Sequence, residues 1–70
     1  MDRQPLGQRI RAYRKLKGLT QEQLADRMGI SLSVLGSLER GTRPIDPRLL
    51  ERIAEALNIS AEELTAPSLG

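Results

Sequence analysis

Apolar residues recur along this chain at spacings of three and four, the interval that returns side chains to one face of an α-helix. From Leu6 to about Lys17 they are Leu6, Ile10, Tyr13 and Leu16, and the run stops at Gly18. Thr20-Gln-Glu-Gln23 follows as a capping-box pattern, in which the Thr20 hydroxyl and the Gln23 side chain reciprocally accept from backbone amides. Leu24, Ala25 and Met28 continue that second helix to a stop at Gly29. Ser31 reads as the cap of a third helix that turns Leu35 and Leu38 inward and ends near Arg40 and Gly41. After a loop carrying Pro44, Asp46-Pro47 reads as a cap followed by proline at the first helical position. It opens a fourth helix whose inward residues are Leu49, Leu50, Ile53, Ala54 and Leu57. Ser60-Ala-Glu-Glu63 is a second capping box, opening a short last helix that contains Leu64. Period-two alternation is absent, and β-branched and aromatic residues are few, so no strand is expected.

The pattern predicts an all-α fold, a compact five-helix bundle forming a single domain over residues 1–70, with frayed ends at 1–4 and 66–70. Its expected core is Leu6, Ile10, Leu16, Leu19, Leu24, Ala25, Met28, Ile30, Leu35, Leu38, Leu49, Ile53, Leu57, Ile59 and Leu64. Each buried large aliphatic side chain stabilises by about 1.5–3 kcal/mol. Ala25 is expected where two helix axes cross closely, and Gly29 where the chain reverses through a positive φ that a β-carbon would disfavour.

Composition narrows the function. The 70 residues include no Cys and no His. Disulfides, Cys nucleophiles and Ser/His/Asp triads are therefore excluded, and so are the usual nitrogen and sulfur ligands of a structural zinc site. No metal, cofactor or catalytic residue is implied, and an enzyme is not expected. The acidic pairs Glu51/Glu55 and Glu62/Glu63 are accounted for as solvated helix faces or cap-supporting charges. No apolar run approaches the roughly 18 residues that span a bilayer, and residues 1–8 lack the apolar segment of a secretory signal, so a soluble cytoplasmic protein without a membrane partner is expected.

Net charge is only +2, but it is unevenly placed. Through Arg48 the chain carries ten basic and five acidic residues, a net +5; beyond it lie one basic and four acidic residues, a net −3. Such asymmetry points to an acidic partner such as nucleic acid.

The stretch Gln21 to Arg40, two short helices separated by Met28-Gly29-Ile30-Ser31, resembles the helix-turn-helix of the phage-repressor and Cro-type family of transcription regulators. The motif covers about residues 20–40. The resemblance extends from about Leu6 to Leu64: a basic first helix, Leu19-Thr20-Gln21-Glu22-Gln23-Leu24-Ala25, Met28-Gly29-Ile30-Ser31, Leu38-Glu39-Arg40-Gly41, and Leu49 to Ile59. It implies a lambda-repressor-like DNA-binding domain that places the helix of residues 31–40 in the major groove of double-stranded DNA, and a transcription regulator, as a repressor. Thr20 and Gln21, at the start of the motif's first helix, are then expected on one phosphate, with Arg40 and Arg43 on phosphates at the other side. The resemblance makes Arg14 and Glu39 a structural ion pair anchoring the first helix to the groove helix.

The base-facing positions implied are Leu32, Ser33, Gly36 and Ser37, taken as the helix side opposite Leu35 and Leu38. Where many relatives carry Gln, Arg or Asn there, this chain offers a methyl-contacting leucine, two weakly discriminating serines and a glycine that lowers helix propensity by about 1 kcal/mol relative to Ala. That plainness raises a second reading, the same fold used as a protein–protein interaction module, an antagonist or partner of another regulator, through Leu32, Val34 and Gly36. One such domain reads a half-site, so a homodimer, weak or formed only on DNA, is the expected assembly.

Overall fold

The computed structural model describes residues 6–65, so the expected frayed ends lie outside the described residues. Five helices follow in order: α1 (Leu6–Leu16), α2 (Gln21–Met28), α3 (Leu32–Arg40), α4 (Pro47–Leu57) and α5 (Ala61–Thr65). No strand occurs among the described residues.

Each start is chemically specified. Thr20 closes the full capping box of α2, its Oγ1 accepting from the Gln23 amide at 3.1 Å while the Gln23 Oε1 accepts from the Thr20 amide at 2.9 Å. Ser31 Oγ accepts from Val34 N, Asp46 Oδ1 from Leu49 N at 2.8 Å, and Ser60 Oγ from Glu63 N. These bonds satisfy amides that a helix leaves unpaired at its amino end.

The stops share one device. After α1, α2, α3 and α4 comes a residue with left-handed backbone, respectively Gly18, Gly29, Gly41 and Asn58. The amide after it reaches back five residues: Leu19 to the Arg14 carbonyl, Ile30 to Ala25, Thr42 to Ser37 and Ile59 to Ala54, each at 3.0 Å. This is the Schellman closure, which favours an apolar residue just past the turn. Leu19, Ile30 and Ile59 fill that place and pack against the core. Two arginines supplement the carboxyl ends of helices, Arg52 donating to the Met28 carbonyl and Arg27 to that of Ala56; a cation there also complements the helix dipole.

Ile10, Leu24, Leu35, Leu38, Ile53, Leu57 and Leu64 are fully buried, with Ala25, Met28 and Ala54 beside them. Leu6, Leu19, Ile30, Leu49 and Ile59, also expected in the core, are partly buried against it. Leu16 is a correction: it is 76% exposed. The buried stripe of α1 consists of Gly7, Ile10 and Arg14, which rotates it away from Leu16. Gly7 is buried because α1 lies directly on the carboxyl end of α3. A β-carbon at Gly7 would stand 2.5 Å from the Leu38 carbonyl oxygen and closer still to that of Glu39.

Candidate nucleic-acid interface

The motif itself is α2, the turn Gly29-Ile30-Ser31, and α3. Its rigidity comes from apolar packing of Leu24, Ala25, Met28, Leu35 and Leu38, together with a polar knot at Glu39. Arg14 Nε donates to Glu39 Oε2 at 2.7 Å and Nη2 to Oε1 at 3.2 Å, while Nη1 donates to the Leu19 carbonyl at 2.9 Å. Gln21 Nε2 adds a further bond to Glu39 Oε1 at 3.1 Å. The two charged side chains are 10% and 4% exposed, so the pair is desolvated as well as fully bonded. Among the described residues, no buried side-chain nitrogen or oxygen lacks a partner. Helices α1, α2 and α3 thus meet at one carboxylate.

The outer face of α3 carries Leu32, 45% exposed, and the exposed Ser33. Ser37 is half-buried, and its Oγ donates to the Ser33 carbonyl at 3.1 Å. Gly36 departs from the expected arrangement. It lies on the same side of the helix as Leu32 and Ser33, but it is buried where they are exposed. The reason is the Arg40 side chain, which folds back one turn and lies over it, with Nη1 3.1 Å from where a Gly36 β-carbon would be.

Arg40 is therefore not on the far side from Gln21. Both line one open hollow of about 750 Å³ between α1, α2 and α3, together with Gln8, Arg11, Arg14, Gly36, Glu39 and Thr42. Arg43 is exposed in the loop after α3 and does not line it, and Thr20 caps α2 next to Gln21. Arg11 and Gln8 were not singled out as site residues from sequence. Their signal was spacing, since Gln8, Arg11 and Arg14 stand three apart on a basic helix and so share a side. The acidic residues Glu51, Glu55, Glu62 and Glu63 are exposed on α4 and α5, away from this hollow.

Residues 10–64 match the helix-turn-helix family. The chain belongs to that family. Among similar helix-turn-helix proteins is YazB of Bacillus subtilis (strain 168), an uncharacterized HTH-type transcriptional regulator, 51% identical over 67 residues that make up 96% of this chain and 97% of YazB. The crystal structure of the restriction-modification controller protein C.AhdI from Aeromonas hydrophila is similar with a TM-score of 0.81 and 42% identity, over 86% of this chain and 91% of that one. The biofilm master regulator SinR, solved in complex with DNA, is similar with a TM-score of 0.76 and 37% identity, over 84% and 95% of the respective chains. In this helix-turn-helix chain α3 carries exposed Leu32 and Ser33, with Arg40 at its carboxyl end and Arg43 in the loop beyond.

Proposed function

We propose that this chain is a sequence-specific double-stranded DNA-binding transcription regulator, acting in the cytoplasm as a repressor, with α3 in the major groove. The observation that carries the reading is the exposed Leu32–Ser33 face of α3, bounded by guanidiniums at Arg11 and Arg40 on the α1 side and at Arg43 in the loop beyond. The similarity to SinR, which was solved with DNA, supports it.

Leu32 meets a thymine methyl, and Ser33 and Ser37 make single hydrogen bonds to base edges. Gly36, beneath Arg40, contributes no base contact. Phosphates are held by Arg40, by Arg43, and at the start of α2. There the Gln21 amide has no intrahelical acceptor, and the Thr20 hydroxyl keeps its proton for donation while its oxygen caps Gln23. With few base-specific donors on α3, methyl contact, water and DNA shape carry much of the discrimination.

The domain reads a half-site, and two copies, associating weakly or only on DNA, address half-sites one helical turn apart, about 34 Å. Selection of duplexes from a random pool, combined with the mass of the complex, tests the reading. The expected result is an enriched near-palindrome bound by two chains, with a log–log salt slope of about −3 to −4.5 per chain for about three to five phosphates. No enrichment, or affinity indifferent to salt together with recovery of a stoichiometric protein partner, overturns it in favour of an interaction module.

A further inference from the structure

The geometry points to Gly36 as a positioning residue. Its missing side chain lets Arg40 fold into the hollow between α1 and α3, where Arg40 and Arg11 form a two-guanidinium seat for one DNA backbone phosphate. The inference rests on the DNA-binding reading above and deepens it.

Three observations carry it. First, a glycine inside a nine-residue helix works against that helix, and Gly36 has no backbone reason to be there, because its φ is not positive and no main-chain atom outside its own helix crowds the place of its β-carbon. The only neighbours a β-carbon would meet are Arg40 Nη1 at 3.1 Å and Arg40 Cζ at 3.9 Å, so the vacated volume is the guanidinium's. Second, the hollow is positive. It contains three arginines and one carboxylate, and that carboxylate is already occupied by Arg14 and Gln21. Arg11 and Arg40 have no carboxylate partner among the described residues. Third, the hollow is open and borders the outer face of α3, where a strand of DNA backbone passes when that face lies in the groove. Planar guanidiniums suit a phosphate, since each can offer two parallel N–H donors to its oxygens.

A side chain larger than a methyl at position 36 would take the guanidinium's place over the helix and turn it away from Arg11, so the two residues act as a unit. The test is a double-mutant cycle of Gly36→Leu and Arg40→Ala, read by titrating a mixed-sequence duplex of about 20 bp at several salt concentrations. Each single substitution is expected to weaken binding by about 3- to 10-fold and to lower the salt slope by about 0.9, while the double variant binds no worse than Arg40→Ala alone. Gly36→Ala guards against a folding artefact. It is expected to raise Tm by about 4–8 °C through helix propensity while weakening binding less than Gly36→Leu does, because a methyl displaces the guanidinium only slightly. Losses that multiply in the double variant, an unchanged slope in either single variant, or a lowered Tm for Gly36→Ala overturns the inference. If the unsubstituted chain binds DNA with a steep salt slope while the cycle fails, the DNA-binding reading stands and only the role of Gly36 falls. If the unsubstituted chain has no salt-dependent affinity, both fall.

Discussion

Arg14 of α1 and Glu39 of α3 are joined side by side, Nε to Oε2 at 2.7 Å and Nη2 to Oε1 at 3.2 Å, in a site almost closed to water. Removing one partner leaves the other charge buried without compensation, whereas replacing both with apolar groups does not. Arg14→Ala or Glu39→Ala is expected to cost about 3–5 kcal/mol, and Arg14→Met combined with Glu39→Leu to recover most of that loss. Urea denaturation of the four proteins checks it; equal losses in the single and double variants would show that the ion pair itself is the source of stability.

Gly7 lies against α3 backbone, with the Leu38 and Glu39 carbonyls where its β-carbon would be. Backbone cannot swing aside as a side chain can. Gly7→Ala is therefore expected to destabilise by about 1–3 kcal/mol even though Ala is the better helix former. Thermal melts of Gly7→Ala and Gly36→Ala, measured side by side, should move in opposite directions.

Leu16 and Leu24 look alike in an apolar pattern, but one is 76% exposed and the other has no exposed surface. Leu16→Ser is expected to change stability by no more than about 0.5 kcal/mol, and Leu24→Ala to cost about 2–5 kcal/mol. Denaturant midpoints at constant slope decide it. A large loss for Leu16→Ser would place that side chain in an interface.

Ser37 and Arg43 are assigned different work on DNA. Ser37→Arg is expected to shift the preferred base at one position towards guanine, because arginine donates to both O6 and N7 in the major groove. Arg43→Ala is expected to weaken all duplexes alike and to reduce the salt slope by about 0.9. Parallel selections and titrations of both variants separate the two effects, and a changed base preference for Arg43→Ala would contradict the assignment.

The helix ends and the apolar core were legible in the sequence because their signals are local. Thr20, Ser31, Asp46 and Ser60 cap where their spacing says, and Gly29 reverses the chain with a φ of 68°. Asn58, which ends α4 with a φ of 61°, went unread because asparagine adopts left-handed backbone less distinctively than glycine. The α1–α3 interface was the least legible part. It consists of Gly7, Arg14 and Glu39, with Gly36 buried nearby under Arg40, and none of these registers in hydrophobic periodicity. The exposure of Leu16 follows from the rotation this interface imposes on α1, and the burial of Gly36 from the Arg40 side chain laid over it. Arg14 and Glu39 could be named only through resemblance, since no pairing rule links residues 25 apart. The shared hollow, with Arg11 as a wall, needed the tertiary structure.

The knot at Glu39 also separates holding the groove helix from what that helix says. Arg14, Gln21 and Glu39 fix α3 from behind, while Leu32 and Ser33 are exposed and the Ser37 hydroxyl bonds only to α3's own backbone. Positions 32, 33 and 37 are consequently a rewritable panel. A library randomised there should fold nearly as often as the parent, so new binding preferences can be sought on this scaffold without reinforcing it first.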